Sequence, residues 1–170
     1  LAEQYGTPLF VYSHTALVGQ LRRLRAAFGD ADPLIAYSVK ANPNLAVIRA
    51  LHAEGAGADV VSGGELARAL AAGVPADQIV FAGVGKQRDE LETAVQAGIL
   101  SFNVEVDREL ELLSEVASAH GVKANIALRV NPDVETDTHE YIQTGRHVNK
   151  FGIPMEEARA LYGRAATLPG

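Results

Sequence analysis

Five short apolar segments recur every 21 to 25 residues, and the helical stretch after each of the first four runs into a glycine. The segments begin near Leu34, Ala58, Ile79, Ser101 and Ile126 and read LIAYSVK, ADVVS, IVFAG, SFNVE and IALRVN. That period accommodates a strand, a loop and a three-turn helix. The segments are nearly continuous apolar runs, which predicts strands covered on both faces. The intervening stretches carry helical punctuation. Asn44 can cap a helix with Leu45, Ile48 and Leu51 on one face, and Ser62-Gly63-Gly64-Glu65 fits a capping box ahead of Leu66, Ala69 and Leu70. Leu91, Ala94 and Val95 mark the next helix, and Leu110, Leu113 and Val116 a fourth that starts from Asp107. Gly55, Gly73, Gly98 and Gly121 stand in equivalent stop positions. A helix from Thr15 to Phe28 precedes this array, and one from about Pro154 to Leu168 follows it.

Strand and helix alternating at this period imply a parallel sheet with right-handed crossovers, either doubly wound or a barrel. No G-x-G-x-x-G fingerprint follows the first strand, which counts against a dinucleotide-binding sheet. A complete (β/α)8 barrel usually takes about 250 residues. The 170 residues here supply five clear units and an extra helix, so a barrel would be cut short. The polar stretch from Asn131 to Lys150 breaks the rhythm and reads as a long functional or mobile loop.

Bulk properties narrow the classes. A hydrophobic content of 48% supports one core and one domain. The net charge of -6 and the absence of a basic block argue against nucleic acid as a partner. No stretch suits a membrane span or a signal peptide, so a cytoplasmic location is the default. The chain does not start with methionine, which suggests that its first residue is not a natural N-terminus. Without cysteine there is no disulfide, thiolate metal site or cysteine nucleophile.

In barrels and open parallel sheets alike, active sites form at the carboxyl ends of the strands. The polar residues there are Lys40, Asp59 with Ser62 and Glu65 just beyond, Asn103 and Glu105, and Arg129 with Asn131. Gly83-Val84-Gly85-Lys86 follows the third strand, as an anion nest or a plain connecting loop. Each candidate has a structural reading beside the chemical one. Lys40 either snorkels from a strand end or acts as an amine nucleophile, and Asp59 is a turn residue or part of a site. Arg129, inside an apolar strand, needs an acceptor, which a structural ion pair with Asp59 or Glu65 would supply. Asp133, Glu135, Asp137, His139 and Glu140 offer metal donors, but their spacing matches no ligand pattern and a solvated loop is the better reading. No nucleophile elbow, zinc-protease helix or Walker loop is present. What remains is a strand-end lysine near carboxylates and an arginine, a setting for Schiff-base chemistry and so for pyridoxal phosphate.

The motifs resemble a known family. YSVKANPN resembles the cofactor-lysine motif of the fold-type III pyridoxal-phosphate decarboxylases. GAGADVVSGGELARALAAGV, FAGVGKQRDELETAVQAGI and FNVEVDRELELL are similar to that family's next three strand segments, with Val106 where a small polar residue is expected. ALRVNPDVETDTHEYIQTG and NKFGI resemble the branch acting on diaminopimelate rather than the ornithine and arginine branches. The likeness runs from Gly6 to Leu168. It implies the first five to six units of a (β/α)8 barrel of the alanine racemase-like type, with residues 1–170 as a partial cofactor domain and the family's C-terminal β-domain absent. It implies that Lys40 is the catalytic residue carrying pyridoxal 5'-phosphate as a Schiff base, and that Asp59, Glu65 and Arg129 surround the cofactor. Lys150 resembles a position that pairs near a subunit boundary, in a homodimer when complete. The reaction implied is decarboxylation of meso-diaminopimelate to L-lysine. Another basic amino-acid decarboxylase or a non-catalytic cofactor-binding barrel are the alternatives. The ring-stacking histidine, the phosphate loop and the pyridine-nitrogen partner of the family have no counterpart here. The 170 residues are therefore expected to be inactive by themselves.

Overall fold

The computed structural model describes residues 1–132 and 152–170. A single turn α1 (Ala2–Tyr5) and helix α2 (His14–Ala26) lead into strand β1 (Ala36–Ser38). Four further units follow: α3 (Leu45–His52) and β2 (Gly57–Val60), α4 (Gly63–Ala71) and β3 (Ile79–Phe81), α5 (Arg88–Ala97) and β4 (Ser101–Val104), α6 (Asp107–Ala119) and β5 (Ile126–Leu128). The five strands pair in parallel in their chain order, β1-β2-β3-β4-β5. Beyond Arg129, β6 (Val130–Asn131) pairs in parallel with β7 (Ile153–Pro154), ahead of α7 (Met155–Ala165).

Strand order decides between the two architectures left open above. A doubly wound sheet reverses its order at a switch point. Here the order never reverses, so right-handed crossovers place every connecting helix on one face. Accordingly α2 packs on α3, α3 on α4, α4 on α5 and α5 on α6. This is the wall of a parallel barrel. β5 and β6 flank a single residue, so the fifth strand bends at Arg129, pairing with β4 before the bend and β7 after it.

The core lies between sheet and helices. Val60, Phe81 and Val104 from the strands are buried against Leu66, Leu91 and Leu113 from α4, α5 and α6. Phe81 and Phe102 are register partners, with ring centroids 6.4 Å apart. The opposite, concave face is only half-covered at Asp59, Val80 and Asn103. Buried and half-buried residues therefore alternate along β3 and β4, and β1 is half-buried throughout, where the apolar runs had predicted cover on both faces. The difference arises because a barrel interior is filled by side chains from all around its circumference, and the described strands form one side of it.

The expected caps are present with one exception. Asn44 accepts the Ala46 N–H at 2.8 Å and Ser62 the Glu65 N–H at 3.2 Å. The Glu65 carboxylate reaches one residue further back than a capping box requires and accepts the Val61 N–H at 2.9 Å. Val106 occupies the N-cap of α6 and offers no side-chain cap. All four stop glycines have positive φ, the left-handed conformation that closes a helix. Leu70, expected inward, is exposed at the rim, because α4 buries only Leu66 and Ala69.

Candidate active site at the strand ends

In YSVKANPN, nearly every polar side chain but one has a structural task. The Tyr37 hydroxyl donates to the Asn42 carbonyl at 3.2 Å, closing the turn. Burial pushes its phenol above the ordinary tyrosine range. Ser38 donates to Asp59 Oδ2 at 3.0 Å across the β1–β2 register pair. Asn42 accepts the Asn44 N–H, and Asn44 caps α3. Lys40 sits on a single 3-10 turn (Val39–Ala41) anchored by the fully buried Val39. Its ammonium is exposed and makes no hydrogen bond or ion pair among the described residues. A lysine so placed keeps its amine available.

The other expected residues are only partly brought together. Asp59 lies beside the strand that carries Lys40. Glu65 braces the turn between β2 and α4 through its bond to Val61, and Glu90 helps by accepting the Gly63 N–H at 2.7 Å. Arg129 pairs not with Asp59 or Glu65 but with Glu105, Nη1 to Oε2 at 2.7 Å. Glu105 is the better placed acceptor because it ends β4, the immediate neighbour of β5, whereas Asp59 is three strands away.

Behind Arg129 stands a buried polar network that the sequence reading did not assemble. Glu105, 1% exposed, also accepts the Gly83 N–H at 2.9 Å, and its own N–H donates to Glu109 Oε2 at 2.9 Å. The Lys86 ammonium donates to Glu109 Oε1, to the Gly83 carbonyl at 2.7 Å and to the Asn103 carbonyl at 2.8 Å. Gly83 therefore spends its N–H on the Glu105 carboxylate within the chain. Asp133, Glu135, Asp137, His139, Glu140 and Lys150 lie outside the described residues. Among the described residues, no helix is long and apolar enough to cross a membrane.

An exposed amine at the end of the first strand, an acid on the neighbouring strand and a half-exposed guanidinium on the fifth thus stand along the carboxyl edge of one parallel barrel wall. Residues 15–170 match the family described as the pyridoxal-dependent decarboxylase, pyridoxal binding domain, and the chain belongs to that family. The cofactor inferred from the sequence is the one in that description. Within the family, the chain is 50% identical over 168 residues to diaminopimelate decarboxylase of Pseudomonas aeruginosa, covering 99% of this chain and 40% of the relative. It is 51% identical over 168 residues to the diaminopimelate decarboxylase of Aquifex aeolicus, with the same coverage. The crystal structure of M. jannaschii diaminopimelate decarboxylase in complex with L-lysine superimposes with a TM-score of 0.89 at 40% identity, over 98% of this chain and 40% of that one. The lysine/ornithine decarboxylase of Vibrio vulnificus, complexed with putrescine, reaches a TM-score of 0.76 at 26% identity, over 99% of this chain and 40% of that one. The chain thus spans about two fifths of the length of these relatives.

Proposed function

We propose that residues 1–170 form the pyridoxal-phosphate-binding barrel portion of a diaminopimelate decarboxylase, the enzyme that converts meso-diaminopimelate to L-lysine and carbon dioxide. The observation carrying this reading is the solitary ammonium of Lys40 among otherwise engaged neighbours, in a chain about half identical to enzymes of that name. The ornithine and arginine alternatives are less favoured, since the lysine/ornithine decarboxylase is the more distant in both sequence and superposition.

The residues present fit the cofactor. Lys40 offers an unhindered amine to its aldehyde, and Asp59 and Arg129 place one charge of each sign at the same edge of the sheet. When bound, pyridoxal phosphate supplies an electron sink for the pair released as a substrate carboxylate departs. Lys40 would hold the cofactor through Nζ, and its amine would be the group placed to give way to a substrate amine and to return a proton to the carbon that lost its carboxylate. Asp59, fixed by Ser38, and Arg129, fixed by Glu105, orient the charged groups around that carbon. Glu65 acts on the cofactor edge by holding the β2–α4 turn in place. The same reading carries a cytoplasmic location and a homodimeric complete form, which fractionation and light scattering test.

Carbon dioxide release by the gene product carrying this chain, offered meso-diaminopimelate, ornithine and arginine in parallel, tests the substrate. Release from diaminopimelate alone is expected, and release only from ornithine or arginine contradicts the proposal. The 170 residues by themselves are expected to release none.

A further inference from the structure

We infer that Glu105 is the positioning residue for Arg129, with Lys86 and Glu109 forming the buried support behind it. Arg129 is held at its root and at its tip. Its N–H donates to the Val104 carbonyl at 2.9 Å, and its carbonyl accepts the Ile153 N–H at 2.8 Å. Gly152 permits that close passage, since a Cβ there would stand 3.0 Å from the Arg129 carbonyl oxygen. Between root and tip the side chain is 49% exposed, so packing alone does not fix its rotamer. The charge-assisted bond to the buried Glu105 constrains the guanidinium.

Glu105 can impose a position because it has none of its own to choose. One carboxylate oxygen is taken by Gly83 and the other by Arg129, while its main chain is tied to Glu109. Gly83 is gripped from both sides, its N–H by Glu105 and its carbonyl by Lys86. Only glycine suits that point: φ is +92° and a Cβ would lie 3.1 Å from the Val61 Cβ. Lys86 spends all three of its N–H donors on Gly83, Asn103 and Glu109, beside the Phe81 ring. The result is a connected run with a cation at each end, Lys86, Glu109, Glu105 and Arg129, its two acids linked through the Glu105 N–H, from the buried interior to the carboxyl edge of the sheet. A buried, fully satisfied network of this kind is rigid, and Arg129 is its exposed end. That this end faces cofactor or substrate rests on the function proposed above.

The test measures phenylglyoxal modification of individual arginines by peptide mapping, with pyridoxal phosphate affinity measured separately by absorbance. In Glu105→Gln, Arg129 is expected to react about tenfold faster or more, as befits loss of a charge-assisted bond. Arg88, in its exposed pair with Glu115, should keep its rate and so exclude general loosening. An unchanged Arg129 rate in the folded variant overturns the inference. Glu105→Gln and Arg129→Lys should each weaken cofactor binding, and the double variant should bind no worse than Arg129→Lys. If Arg129 is freed but neither single variant alters cofactor binding, Glu105 still positions Arg129, and it is the assignment of Arg129 to the cofactor that falls. Should Glu105→Gln not fold, NMR of the unaltered chain decides. Separate, slowly exchanging Nη proton resonances for Arg129 support the pinning, and one averaged resonance overturns it.

Discussion

Lys40 and Lys86 both lie beyond the carboxyl ends of strands in one parallel sheet, yet their surroundings are opposite. Lys86 has a side chain 1% exposed, three acceptors and a carboxylate partner. Lys40 is exposed, and its neighbours bond to one another instead of to it. The contrast separates two uses of an ammonium group. One closes a loop against the core and is consumed in doing so. The other is presented by a turn that the rest of its motif holds in shape. Standing at a strand end therefore does not by itself tell whether a lysine's donors are spent, and these two differ in that.

The largest way to break this comparison is to remove each amine in turn. Lys86→Met leaves Glu109 buried without its counter-charge and is expected to cost about 3–5 kcal/mol in urea denaturation. Replacing the pair together, Lys86→Met with Glu109→Leu, should recover only part of that loss, because the Gly83 carbonyl and the Glu105 N–H lose these partners as well. Lys40→Met should stay within about 0.5 kcal/mol of the unaltered chain, as surface changes do. Similar losses at both positions would erase the distinction.

A smaller effect sharpens the β4 side. Val106 stands at the N-cap of α6 in extended backbone, φ −145° and ψ 154°, without a side-chain oxygen to offer. Val106→Ser should raise stability by about 1 kcal/mol, read as an increase in the urea midpoint. No gain would mean that the Glu109 bond to Glu105 already satisfies that turn.

The smallest effect belongs to the Lys40 side, where α2 is joined to the loop after α3 by an exposed pair. Arg22 grips Glu54 through Nε and Nη2, both at 2.7 Å, and that bond holds the carboxyl below the ordinary glutamate range. A lowered folded pKa favours folding above the unfolded value of about 4.3 and loses that contribution as pH falls through the folded one. Melting temperature should therefore fall slightly more steeply below about pH 4.3 in the unaltered chain than in Glu54→Gln. Parallel curves would remove the pair from the account.

Much of the wall was legible because its signals are local. The apolar segments starting near Ala58, Ile79, Ser101 and Ile126 became strands starting within one residue of those positions, and β1 lies within the first segment. Asn44 and the four stop glycines behaved as the helix-end rules require. Barrel or open sheet could not be read from the residues, since strand order is a property of the assembled sheet. The same holds for the site. Lys40, Asp59 and Arg129 were identifiable as polar residues ending apolar strands. The pairing of Arg129 with Glu105 was not, because sheet adjacency selects Glu105 over Asp59. Glu109 was missed for a related reason: an acid in the first turn of a helix normally faces water, and only packing against Lys86 buries it.

The most direct test of the account is reductive labelling of the chain with pyridoxal phosphate and borohydride, followed by peptide mapping. The account predicts label on Lys40 and none on Lys86, with the Lys40 label lost in Lys40→Met. Label on Lys86, or a folded chain with none on Lys40, would contradict it.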